Sequence, residues 1–113
     1  MSKIVRSFGH AGRGIKYALQ GTNFKVQVTC AIVALLLGYF LHIDRTQFLV
    51  VILAIGLVLS MEATNTAVEE ICNKFHPETH PHIALIKDLA AGAVLISAII
   101  ALIVGLIVFL PYL

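Results

Sequence analysis

Charge is scarce in this chain, at 12% of residues, and no acidic residue occurs before Asp44; cysteine is limited to two positions and proline to three. The shortage of charge excludes an ordinary soluble domain, in which about a quarter of residues are charged. The scarcity of cysteine excludes a disulfide framework. Cys30 lies inside one apolar run and Cys72 near the end of another, positions that suit buried thiols. What is present is apolar: 59% of the 113 residues are hydrophobic and the mean hydropathy is +0.96, which places the chain in the membrane class. Apolar stretches at about 26–41, 48–67 and 89–113 leave nothing over for a second domain. Residues 1–113 therefore read as a single membrane-embedded domain.

The basic residues orient it. Lys3, Arg6, Arg13, Lys16 and Lys25 precede or open the first apolar run without any acid, whereas in the link 42–47 Arg45 is offset by Asp44. The next link adds Lys74 and Lys87. The asymmetry predicts a multi-pass protein of the bacterial inner (cytoplasmic) membrane, with the amino terminus cytoplasmic and, after three spans, the carboxyl terminus outside. No cleavable signal is expected, because the apolar run starts late and lacks a small-residue cleavage site.

Within 2–20, helical projection puts Lys3, Arg6, His10 and Arg13 on one arc and Ile4, Val5, Phe8, Ile15 and Leu19 on the other. The fold class is thus all-α: an amphipathic surface helix over 1–24, then transmembrane helices at about 26–43, 48–75 and 87–110. Gly9, Gly12 and Gly14 form a GxxGxG, but no strand precedes it and the Lys-Ser/Thr of a P-loop is missing. Close backbone packing or simple flexibility is the plainer account.

The middle span carries the chemistry. Glu62, Asn65, Thr66, Glu69 and Asn73 are spaced i, i+3, i+4, i+7, i+11 and share one helical stripe. A carboxylate in the bilayer costs roughly 2.5 to 3.5 kcal/mol, so the stripe should face protein and meet a partner, a cation or a proton. Mere helix–helix adhesion is the bland alternative, and paired glutamates suit it poorly. A span starting near Phe48 crosses the core in about 20 residues, which leaves Glu62 slightly submerged. Glu69, Glu70 and Asn73 then lie at the inner boundary, level with Lys87 and Asp88.

Carboxylates and a lysine at that level suit Mg²⁺ and phosphate chemistry. A submerged carboxylate can accept the proton of a lipid hydroxyl. The pattern predicts lipid phosphorylation. Small-residue seams at Gly56, Ser60, Ala63 and Ala67 and at Ala93, Ser97, Ala101 and Gly105 predict close helix packing and a homo-oligomer. His76, His80 and His82 invite a zinc reading, but Pro77 and Pro81 break the helix an HxxxH pair would need and no fourth ligand is evident.

Two motifs in order carry a resemblance: Glu62-Ala-Thr-Asn65-Thr-Ala-Val-Glu69, an ExxNxxxE, and Lys87-Asp88-Leu-Ala-Ala-Gly92-Ala-Val, a KDxAAGAV. With them the chain resembles the small prokaryotic integral-membrane lipid kinases, the diacylglycerol kinase and undecaprenol kinase family. The resemblance implies a homotrimer with composite active sites that moves the γ-phosphate of ATP, with Mg²⁺, to a membrane lipid alcohol. It implies roles too: Glu62 as catalytic base, Glu69 as metal ligand, Asn65 as substrate-positioning residue, and Lys87, Asp88, Asn73 and His80 on the nucleotide. No nucleic-acid partner is expected.

The chain departs from the family pattern twice. Residues 19–24 lack the glutamate usual before the first span, and Asn73 stands where an aspartate is frequent. Gln20, Gln27 and Glu70 are candidate substitutes. The His80-Pro81 loop and the ending from Gly105 to Pro111 resemble the undecaprenol branch. Two rival readings are a degenerate member acting as a membrane scaffold or lipid-binding partner, and a small proton-coupled transporter. The transporter fits poorly, because the third span has no acid within the membrane.

Overall fold

The structure is a computed structural model and describes residues 2–75 and 80–113. These residues form α1 (Lys3–Ala18), α2 (Thr22–Phe40), α3 (Arg45–Phe75), α4 (Pro81–Phe109) and a closing 3₁₀ turn (Leu110–Tyr112). Three segments, Thr22–Phe40, Arg45–Phe75 and Pro81–Tyr112, are long and apolar enough to cross a membrane. The long α3 is the central post: α4 packs along it most extensively, α2 also lies against it, and α1 touches it.

Local chemistry sets the boundaries. The Ser2 hydroxyl accepts the Val5 amide at 3.2 Å and opens α1. That helix ends at Ala18 rather than extending to residue 24, because Gly21 takes an extended conformation and α2 starts at Thr22. Phe24 thereby becomes a buried anchor of α2. At the other end α2 stops at Phe40, short of the expected 43, in a Schellman closure: the Ile43 amide reaches the Gly38 carbonyl and the His42 amide the Tyr39 carbonyl. His42 occupies the left-handed position usual for glycine, with φ 56°.

A capping box then starts α3, with the Asp44 carboxylate accepting the Gln47 amide at 2.8 Å and the Gln47 side-chain oxygen accepting the Asp44 amide at 3.1 Å. The same Gln47 oxygen accepts the Tyr112 hydroxyl at 2.8 Å, which ties the end of the chain to the top of α3. His80 caps α4 and Pro81 fills its first turn, so this helix begins ahead of the expected residue 87. The expectation followed hydropathy, and 81–86 are helical without being uniformly apolar.

Small residues and a few anchors fill the contacts between helices, among them Ala31, Ala54, Val51, Val108 and Ser97, which is 2% exposed. Large side chains such as Leu53, Leu95 and Ile107 point outward, as expected where the solvent is hydrocarbon. Cys72 is buried, but Cys30 is exposed, contrary to expectation, because it lies on the open side of α2. A Cβ at Gly12 or Gly14 would meet nothing within 4 Å, so these glycines do not serve close backbone packing within the chain. Gly56, Ser60, Ala63 and Ala67 are likewise exposed, which leaves the small-residue face of α3 uncovered.

Candidate active site

The deeper part of the α3 stripe faces protein, whereas Glu69 and Asn73, nearer the end of the helix, are exposed. Glu62 is 5% exposed and Asn65 7% exposed, although neither carries a balancing charge on its own helix turn. Across from Glu62, Thr66 and Glu69 stands the α1–α2 junction, with Tyr17, Gln20 and Asn23; together they line a half-open cavity of about 350 Å³. The junction is placed there by the break at Gly21 and by burial of Ala18 and Phe24 on either side of it.

Hydrogen bonds hold the stripe in register. Asn65 Nδ2 donates to Glu69 Oε1 at 2.8 Å, and the Thr66 hydroxyl donates to the Glu62 carbonyl at 3.1 Å. Asn65 therefore fixes the rotamer of Glu69, and its own Oδ1 is buried without a partner. One helical turn beyond Glu69, Asn73 Oδ1 accepts the Lys87 ammonium at 2.7 Å, joining the stripe of α3 to the second motif at the start of α4. Glu62, Asn65, Glu69, Asn73 and Lys87 thus occupy one end of the bundle. Asp88 is exposed, and neither it nor Lys87 lines the cavity that holds the glutamates.

His80 stands at the start of α4. Its Nδ1 accepts the His82 amide at 3.1 Å as the cap of α4. His76 lies outside the described residues.

Of the three candidate substitutes for the missing acid, only Gln20 lines the glutamate cavity. Glu70 accepts the Tyr17 hydroxyl at 2.6 Å and belongs to a separate cavity of about 430 Å³ with Gly14, Ala63 and Ala67. Gln27 lies one turn deeper along α2, where its Oε1 is buried without a partner. The bond to Glu70, then the charge of that carboxylate and partial desolvation, raise the Tyr17 pKa above the usual 10.0.

Tyr17 and Asn23 are site residues that sequence reasoning missed. Tyr17 meets Glu70 at a separation of 53 residues, which no spacing rule reveals. Asn23 had a weaker signal: it stands beside the break at Gly21.

Among the described residues no three His, Cys, Asp or Glu side chains converge on a point. A cation that demands a protein-only cage does not fit. The donor set of two carboxylates with the Gln20 and Asn23 amides does fit Mg²⁺, which takes one or two carboxylates and completes its shell with water and phosphate oxygens.

Residues 9–109 match the family model for prokaryotic diacylglycerol kinase. The chain is 36% identical over 112 residues to the undecaprenol kinase of Bacillus subtilis, covering 98% of this chain and 91% of that protein. It is 35% identical over 110 residues to a diacylglycerol kinase of Synechocystis, covering 96% of this chain and 63% of that protein. It is 25% identical over 103 residues to the Escherichia coli diacylglycerol kinase, covering 90% and 84% respectively. The fold and these likenesses define a membrane kinase. This chain belongs to the prokaryotic diacylglycerol kinase family, whose members are lipid kinases.

Proposed function

We propose that the protein transfers the γ-phosphate of ATP to the hydroxyl of a membrane lipid alcohol, with undecaprenol favoured over diacylglycerol. The observation that carries this is Glu62: a nearly buried carboxylate on a spanning helix, opening onto a cavity with Glu69 as its second acid. The preference for undecaprenol is supported by 36% identity to the Bacillus subtilis undecaprenol kinase and by the His80-Pro81 loop.

In this reading the lipid hydroxyl enters beside Glu62, which takes its proton as the alcohol oxygen attacks the γ-phosphorus and ADP departs. Glu69, held by Asn65, is the carboxylate ligand for Mg²⁺, which when bound supplies charge neutralisation to the phosphates. Gln20 and Asn23 offer neutral oxygens from the facing wall. Lys87, Asp88, Asn73 and His80 form the nucleotide side, with Lys87 as a point charge for phosphate.

The surrounding architecture belongs to the same proposal. Helix α1 lies on the cytoplasmic surface as an amphipathic helix, with Ile4, Phe8 and Ile15 toward the acyl region and Lys3, Arg6 and Arg13 toward headgroups. The exposed face of Gly56, Ser60, Ala63 and Ala67 packs against a neighbouring copy in a homotrimer. The protein lies in the bacterial cytoplasmic membrane with its amino terminus inside and its carboxyl terminus outside.

The test is direct. Undecaprenol and diacylglycerol are offered together in mixed micelles with Mg²⁺ and γ-³²P-labelled ATP, and the labelled lipids are separated. Faster labelling of undecaprenol is the expected outcome; labelling of neither alcohol overturns the proposal, and preference for diacylglycerol overturns the choice of substrate.

A further inference from the structure

The first helix carries a cluster that the proposed reaction does not use. Lys3, Arg6, His10, Arg13 and Lys16 are all exposed and recur every three or four residues, so they form one ridge along α1. The chain has no acid before Asp44, and the charge of the ridge is not balanced within the helix.

Arg13 stands apart on this ridge. The positions that flank it on the helix surface are 9, 10, 12, 14, 16 and 17, and three of them are glycine. A Cβ at Gly12 or Gly14 would meet nothing within 4 Å, and one at Gly9 would lie 4.0 Å from a guanidinium nitrogen of Arg13. The guanidinium is thus folded back over the bare backbone of Gly9, the direction a long helical side chain takes, and no side chain at 9, 12 or 14 screens it. The GxxGxG acts neither as a phosphate loop nor as a packing seam within the chain; it clears space around one arginine.

The other neighbours add donors. Arg13 donates to His10 Nδ1, since a guanidinium cannot accept, and the neutral imidazole then carries its hydrogen on Nε2. The Lys16 ammonium lies one turn further on. Three donor groups around a cleared space suit an anion with several free oxygens. A phosphodiester has two unsubstituted oxygens and a single charge, whereas a phosphomonoester has three and a charge of about −1.5 to −2.

We infer that the clearing around Arg13 binds the phosphomonoester headgroup of a membrane lipid, with Arg13 as the two-pronged donor and Lys16 and His10 Nε2 beside it. The inference rests on the lipid-kinase reading, because a lipid phosphomonoester is what that reaction makes, and it adds a place where the product is held after transfer. Tyr17, one turn from Arg13, lines the cavity with Glu62 and Glu69, so a headgroup leaving the carboxylates meets the cationic ridge within a helical turn. Without a bound cation those two carboxylates repel the phosphomonoester, and Arg13 attracts it.

The full chain, in a neutral detergent without nucleotide or divalent cation, is titrated with dioleoyl phosphatidate, phosphatidylglycerol or phosphatidylcholine, and bound lipids per chain are counted by native mass spectrometry. Omitting nucleotide and cation keeps the phosphomonoester out of the glutamate cavity. One phosphatidate should bind per chain about tenfold more tightly than phosphatidylglycerol, with phosphatidylcholine weaker still. Arg13→Gln should abolish the preference. Lys3→Gln removes the same charge about 15 Å away along the helix, beyond the roughly 10 Å screening length at 0.1 M salt, and should change the affinity by less than about twofold. Gly9→Leu fills the space beside the guanidinium without altering charge and with better helix propensity; it should weaken phosphatidate binding about tenfold at unchanged helix content.

Equal affinity for phosphatidate and phosphatidylglycerol overturns the inference, as do equal losses in Arg13→Gln and Lys3→Gln, since the ridge is then only a diffuse surface charge. Unchanged affinity in Gly9→Leu overturns it too. The two readings fail separately: phosphatidate held at Arg13 by a chain that transfers no label from ATP sustains the site and sinks the kinase, and label transfer without Arg13-dependent binding does the reverse.

Discussion

Tyr17 donates its hydroxyl to Glu70 at 2.6 Å, linking the surface helix to the central span across 53 residues of chain. The contact sits between two cavities, since Tyr17 lines both the glutamate cavity and the neighbouring one that contains Glu70. It therefore holds α1 over the site. Tyr17→Phe should loosen α1, seen as faster amide exchange over Lys3–Ala18 and a raised KM for nucleotide, with kcat less affected. The pH dependence follows from the raised Tyr17 pKa. The neutral hydroxyl is the donor, so the bond's contribution is fully present below pH 10.0, the unfolded value, and is lost only as pH rises through the higher folded value. Exchange protection of α1 in the unmodified chain should persist to above pH 10.0 before falling.

Glu62→Gln preserves volume and hydrogen-bonding capacity in the buried position while removing the base. The expected effect is a fall in kcat of about 10²- to 10⁴-fold, the usual contribution of a positioned general base. Binding of an ATP analogue measured without Mg²⁺ should be unchanged, because Lys87 and Asn73 lie a turn or more beyond the cavity's acids. A variant with near-normal kcat would remove Glu62 from the base role.

The stripe of Glu62, Asn65 and Glu69 was legible because helical period and burial are local properties, and its internal bond between Asn65 and Glu69 is an i to i+4 contact. The spans were legible for the same reason, although their ends were not. Hydropathy hid the start of α4, where a His80 cap and Pro81 open the helix through chemistry unrelated to apolarity. The second wall of the site was not legible either. Tyr17, Gln20 and Asn23 come from a different helix junction, and which junction closes over Glu62 depends on burial of Ala18 and Phe24, a tertiary fact without a sequence period. Gln20 and Glu70 looked equivalent as oxygen donors in sequence, yet Glu70 is turned to Tyr17 and only Gln20 lines the cavity.

That difference makes a metal prediction. Gln20→Glu adds a carboxylate to a cavity that has Glu62 and Glu69 as its acids. Mg²⁺ favours anionic oxygens, so the half-saturating Mg²⁺ concentration should fall several-fold, read both from activity and from Mn²⁺ binding by electron paramagnetic resonance in the presence of an ATP analogue. Glu70→Gln, on the far side of Tyr17, should leave Mn²⁺ binding unchanged while weakening the hold on α1. If both substitutions altered Mn²⁺ binding equally, the separation of the two cavities would be wrong.

The turn between α2 and α3 offers a test of the fold apart from the chemistry. His42 adopts a left-handed conformation at φ 56°, which costs a non-glycine residue about 1 to 2 kcal/mol, partly offset for glycine by its greater freedom when unfolded. His42→Gly should therefore stabilise the protein by up to about 1 kcal/mol in thermal or denaturant unfolding in detergent. Gly38 is under the opposite constraint. A Cβ there would lie 2.9 Å from Ile43 Cδ1, the far end of a flexible side chain, and at contact distance, 3.4 Å, from Phe48 Cε2. Gly38→Ala should therefore shift the Ile43 side chain, with the overpacking and the roughly 1 kcal/mol better helix propensity of alanine largely offsetting each other. Because the site lies at the other end of α3, a stable His42→Gly chain should keep its kcat, and a change in kcat at matched stability would show that the turn and the glutamate cavity are coupled.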